Sequence, residues 1–153
     1  MNGIDVDVMP ARLLFGNTDD HMLYRSAEGS LLETNLLVHI NDVLEAARSD
    51  ETRLLKIWLA RQDVTAPSIY IDYLVPRRLL EGLKPEKDNL LDNFMRMLRH
   101  LSKRDFNPLF DELADPANPD NLLSALMPDE EKRKVVKAAQ KALIERSIAG
   151  IIQ

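Results

Sequence analysis

No cysteine occurs in the 153-residue sequence, so it holds neither a disulfide framework nor a thiolate metal site, and His21, His39 and His100 supply its imidazoles. A reducing cytoplasm is the simplest expected home. Glycine is scarce at five residues and aromatics make up 5%. With leucine abundant and charges interleaved among apolar residues at helical spacing, that composition favours a mainly α fold. Apolar runs fall well short of the ~20 residues that cross a bilayer, and the start Met1-Asn2-Gly3-Ile4-Asp5 has none of the basic and apolar regions of a signal peptide. A soluble chain with no membrane contact is expected. Positive charge is also in short supply, 20 Lys and Arg against 25 Asp and Glu for a net charge of −5. This gives no strong nucleic-acid signal and confines any phosphate site to a local cluster of cations. Gly-x-Gly-x-x-Gly, P-loop and nucleophile-elbow patterns are missing as well.

What is present suffices for one compact unit, since 45% of the residues are hydrophobic. Residues 4–9 alternate, with Ile4, Val6 and Val8 on one face and Asp5, Asp7 and Met9 on the other, until Pro10 removes a ladder donor. Both carboxylates therefore point the same way. Residues 16–20 and 26–30 read as turns around a short strand at Met22-Leu23-Tyr24. From Thr34 or Asn35, either a good N-cap, a first helix is predicted to bury a stripe of Leu36, Leu37, Ile40, Val43, Leu44 and Ala47. A second helix starts at Ser49-Asp50 and buries Leu54, Leu55, Trp58 and Leu59, which leaves Lys56 about 130° from the centre of the stripe and free to leave the core. Ser68 can cap a third helix through Tyr70, Ile71, Leu74 and Val75, which Pro76 kinks or interrupts. Asp88 or Asn89 opens a fourth, with Leu90, Leu91, Phe94, Met97, Leu98 and Leu101 in a clean stripe. Residues 105–126 are less regular. A last helix after Pro128 has acids in its first turn and buries Val135, Val136, Ala139, Leu143 and Ile144.

Several segments in this order resemble the second half of a nucleotidyltransferase of the polymerase β superfamily, a group that includes oligoadenylate synthetases, poly(A) polymerases and bacterial synthetases of cyclic oligonucleotide messengers. They are Ile4-Asp5-Val6-Asp7-Val8-Met9-Pro10, Tyr24 to Gly29, Glu33-Thr34-Asn35 with His39-Ile40, Arg53 to Trp58, Pro67 to Asp72 and Asp115 to Asn121. The resemblance implies a mainly α (α+β) fold: residues 1–32 as a short β remnant of the catalytic nucleotidyltransferase sheet, and residues 33–153 as a helical bundle-like substrate-binding domain. It further implies a nucleoside triphosphate as ligand and synthesis of a cyclic or linear signalling oligonucleotide. Mg2+ or Mn2+ would be held by three carboxylates, because a metal pair stabilises both the attacking hydroxyl and the triphosphate. Asp7 matches the third of these acids and Asp5 is its neighbour. Lys56 resembles the lysine that grips the triphosphate. Ser68 and Tyr70 resemble a Ser-Tyr element in which the hydroxyl binds phosphate and the ring stacks on the base.

Each assignment has a plainer alternative: an acidic edge strand for Asp5 and Asp7, a solvated helix lysine for Lys56, a helix cap for Ser68 and a proline-rich turn for residues 115–121. The Gly-Ser loop and the first two metal carboxylates of such enzymes do not occur in this sequence. The chain alone is therefore expected to be inactive, and a missing catalytic half or self-association through the orphan strand is the expected partner. A non-catalytic helical interaction or regulatory module is the alternative function. Two basic stretches, Arg96, Arg99, Lys103 and Arg104, and Lys132, Arg133, Lys134, Lys137 and Lys141, read as solvated helix faces.

Overall fold

A computed structural model describes residues 11–14, 16, 19–25 and 29–145; the expected strand over 4–9, with Asp5 and Asp7, lies outside them. Strands β1 (Ala11–Leu13), β2 (Asp20–Arg25) and β3 (Ser30–Asn35) form an antiparallel sheet in the order β1-β2-β3. Gly29, at φ +62°, stands in the turn before β3, where a left-handed backbone suits glycine. The chain stays extended to Asn35, whose side chain then accepts from the Val38 amide at 3.1 Å and caps helix α1 (Leu36–Ala46). The predicted cap is correct, although Thr34 belongs to a strand that periodicity did not reveal and that runs past the expected boundary at residue 32.

Helix α2 (Ser49–Arg61) packs against α3 (Ser68–Leu74) and α4 (Leu90–Leu101), and α5 (Asp129–Ile144) lies along α4. Between α4 and α5 a small hairpin forms from β4 (Ala114–Asp115) and β5 (Asn118–Leu122), inside the stretch expected to be irregular. The fold is thus mainly helical α+β, as expected. Pro76 has its predicted effect at the end of α3. It brings no amide to the helical ladder, and residues Val75–Leu79 widen into a π turn in which the Leu80 amide donates to the Val75 carbonyl at 2.9 Å.

The core is built from α2 onward. Leu55, Trp58 and Leu59 meet Tyr70, Ile71 and Leu74 of α3, Phe94, Met97, Leu98 and Leu101 of α4, and Val135 and Ala139 of α5. Trp58 and Phe94 pack edge-to-face with centroids 6.2 Å apart. Four burial expectations need correction, the first being Leu91 of α4, which is exposed despite its place in the predicted stripe. Helix α1 buries none of its residues, with Leu36, Leu37, Ile40 and Leu44 all exposed. Its stripe is genuine, but the described residues provide no surface to cover it. Ile144 is 81% exposed at the frayed end of α5. Lys132, expected on a solvated face, is buried with its ammonium 5.7 Å from the Phe110 ring centroid.

A buried polar cluster fastens the start of α2. Arg48 Nη1 donates to Glu51 Oε1 at 2.8 Å, Arg48 Nη2 to the Leu83 carbonyl at 2.5 Å, and Asn93 Nδ2 to the same Glu51 oxygen at 2.9 Å. Both charged side chains are nearly inaccessible, at 3% and 8%. Removing one leaves the other charge buried without its partner, which costs about 3–5 kcal/mol, whereas replacing both by apolar residues is close to neutral. Arg48→Met should therefore lower the unfolding free energy in urea by about 3–5 kcal/mol, and the double variant Arg48→Met/Glu51→Leu should recover only part of it, because Asn93 loses its acceptor; a single variant as stable as wild type would refute this role.

Candidate functional site

Lys56 leaves the core as its helical angle predicts and reaches α3, where its Nζ lies 2.7 Å from Asp72 Oδ1. Both groups are partly solvated, at 32% and 26%. They line a depression of about 250 Å3 together with Val43, Ala46, Arg48, Ser49, Thr52 and Arg53. A second depression of about 280 Å3 shares Val43, Ala46 and Asp72 and continues to Asp42, Tyr73 and Arg77. Ligand pockets begin near ~300 Å3, and each depression alone falls short of that. Together they make one open cleft between α1 on one side and α2 and α3 on the other. Its cations are Arg53, Lys56, Arg77 and Arg48, the last already paired with the buried Glu51, and its carboxylates are Asp42, Glu45 and Asp72. Arg77 is itself paired with Asp42 at 2.8 Å.

The α1 wall of this cleft is held by polar contacts. His39 Nδ1 lies 2.8 Å from the Tyr73 hydroxyl and its Nε2 lies 2.9 Å from Thr34 Oγ1 and 3.5 Å from Asp115 Oδ1. These partners favour the tautomer in which Nδ1 accepts from Tyr73 and Nε2–H faces Thr34 and Asp115. The His39 and Tyr73 rings meet edge-on at 5.7 Å, and the Arg77 guanidinium sits 5.0 Å over the Tyr73 ring. Burial, with the nearby Asp42 carboxylate next in importance, pushes the Tyr73 phenol well above its ordinary value, so it stays a neutral donor. Asp115, 1% exposed, accepts from the Ala117 amide at 2.8 Å and from Asn121 Nδ2 at 3.0 Å. Asn118 Nδ2 donates to the Glu33 carbonyl at 3.0 Å. The Asp-Pro-Ala-Asn-Pro-Asp-Asn segment is thus tied to β3 through the Asn118 amide and closed on itself through Asp115 and Asn121.

The remaining expected site residues separate. Ser68 is the first residue of α3 and exposed; the cap position belongs to Pro67, with no side-chain cap bond. It stands one turn before Asp72, so it shares the face that Lys56 reaches. Tyr70 points the other way. Its ring is fully buried and its hydroxyl donates to the Leu109 carbonyl at 3.0 Å. Burial first, and then Asp111, raise its pKa. The base-stacking role expected for Tyr70 is therefore unavailable to it in this fold. Asp5 and Asp7 lie outside the described residues. Among the described residues no three His, Asp or Glu side chains group to hold a metal ion, so they do not by themselves fit the expected Mg2+ or Mn2+. Sequence reading also missed Tyr73, His39 and Asp115 as one cluster, because its members come from three separate elements.

Elsewhere, a depression of about 280 Å3 at the start of α2 is lined by Asp50, Glu51 and Glu86 among others. Arg96 and Arg99 are exposed on α4, and Lys103 and Arg104, expected on the same helix face, are exposed in the segment that follows its end. His100 beside them is lowered below its usual pKa, chiefly by partial burial and further by Lys103 and Arg96. No helix among the described residues is long and apolar enough to cross a membrane.

No protein-family model matches this sequence, and no curated protein does either. A solved structure of CdnC from E. coli MS115-1, determined with ATP, is similar in fold: the TM-score is 0.61 at 24% sequence identity, over 92% of this chain and 52% of that one. This chain therefore spans about half the length of that structural relative.

If Tyr70 serves the core alone, Tyr70→Phe should destabilise the protein by about 1–2 kcal/mol, the effect of leaving the buried Leu109 carbonyl without a donor. Urea unfolding reads this directly, and an unchanged midpoint would show that the hydroxyl is not bonded there.

Proposed function

We propose that this chain is the helical, nucleotide-binding half of a nucleotidyltransferase of the cyclic-oligonucleotide synthetase kind, and that it is inactive alone. Lys56 carries the reading. Its ammonium stands at the mouth of an open cleft, on a helix whose other face is locked into the core, and a flexible point charge of this kind suits a triphosphate. The likeness in fold to an ATP-bound chain of about twice the covered length supports the same view. Ser68, exposed one turn before Asp72, would add a hydroxyl for phosphate. Divalent metal and transfer chemistry would need Asp7 and Asp5 together with carboxylates from another segment or subunit, since nucleotidyl transfer depends on a pair of metal ions.

The uncovered stripe of α1 suits such an arrangement. Leu36, Leu37, Ile40 and Leu44 offer a missing sheet half an apolar surface next to the cleft. The same stripe is the one observation that favours the second reading, a non-catalytic interaction or regulatory module.

Titration calorimetry with ATP tests the reading. Binding in the micromolar to millimolar range that is weakened at least tenfold in Lys56→Ala is expected, and ATP binding that ignores Lys56 would refute the site. Incubation with nucleoside triphosphates and magnesium or manganese should give no pyrophosphate at an enzyme-like rate; rapid release would refute the claim that the chain is inactive alone.

A further inference from the structure

The cleft that would take the triphosphate already contains an anion in contact with its main cation. Asp72 Oδ1 lies 2.7 Å from Lys56 Nζ, and Asp72 lines both depressions together with Val43 and Ala46. At the far end Asp42 holds Arg77 in the same manner at 2.8 Å. Among the cleft cations, Arg53 makes only a long contact of 3.7 Å with Asp50 and is 73% exposed. The cleft is therefore close to electrically neutral at rest, and a phosphate must take Lys56 from a carboxylate rather than from water.

Resting on the nucleotide reading above, we propose that Asp72 sets the affinity of this cleft: it competes with phosphate for Lys56 and so weakens every phosphate ligand, which takes the weakest of them below measurable binding. An ion pair this exposed is weak, and a triphosphate carrying about four negative charges displaces the carboxylate because Coulomb attraction to the ammonium grows with ligand charge. Parting the pair penalises every ligand alike. A nucleoside monophosphate has the fewest other phosphate contacts to offset that penalty and is excluded first. Asp72 touches Lys56 without having to touch the nucleotide, and it sits one turn beyond Ser68 on the face of α3 that forms the cleft wall.

The variant Asp72→Asn keeps the shape of the side chain and removes its charge. Titrated with magnesium-free ATP and with AMP at low ionic strength, it should bind ATP about tenfold more tightly than wild type and should bind AMP measurably where wild type does not. The gain should shrink as salt is raised and should vanish in Asp72→Asn/Lys56→Ala. Wild-type ATP binding with Asp72→Asn equal or weaker would overturn the proposal, because a residue that merely orients Lys56 loses affinity when neutralised. A gain that survives in the double variant would overturn the route through Lys56. Failure of both wild type and Asp72→Asn to bind ATP would instead remove the cleft as a nucleotide site, and this inference with it.

Discussion

Helix α1 is attached to the rest of the protein by polar contacts, and the cleft exists only because those contacts hold. None of its residues is fully buried and none belongs to the core that seats α2, α3, α4 and α5, so apolar burial holds it far less than it holds them. His39 does that work in its place, by reaching Tyr73 of α3 with one ring nitrogen and Thr34 and Asp115 with the other. Asp42 adds a contact to Arg77, and Asn118 ties the β4–β5 hairpin to the Glu33 carbonyl. A hydrogen bond of this kind contributes only about 0.5–1.5 kcal/mol net, but several converge on one turn of one helix. The position of Val43 and Ala46 across from Lys56 follows from them.

Such an attachment suits a wall that has to meet something else. A helix seated by burial has spent its apolar face, whereas α1 keeps Leu36, Leu37, Ile40 and Leu44 outward while its polar side fixes the cleft. The charges within the cleft follow a similar logic. Lys56 is held in the cleft by a local acid, Asp72, at 2.7 Å, as Arg77 is by Asp42.

Much of this was legible in the residues themselves, for identifiable reasons. The stripes of α2 and α4 are wide and regular, so Leu55, Trp58, Phe94 and Leu98 could be placed in the core and Lys56 outside it. Pro76 announced the irregular turn after α3, and Asn35 the start of α1. Periodicity fixes which residues share a face but not whether a partner covers that face, which is why the apolar stripe of α1 was expected inside. The short strands β3, β4 and β5 have little alternation to detect, and β5 contains Pro119. Tyr70 shows the limit of motif resemblance: the string around it matches, yet its helical phase turns the ring into the core, toward Leu109. The cluster of His39, Tyr73 and Asp115 spans 76 positions in the sequence, and nothing local to any of the three marks it.

Amide hydrogen exchange on wild type and on His39→Ala tests the dependence of the cleft wall on this cluster most directly, because exchange resolves the stability of separate segments. The account predicts that residues 36–46 lose protection while α2, α4 and α5 keep theirs. Unchanged protection of α1 in the variant, or an equal loss across all helices, would contradict it.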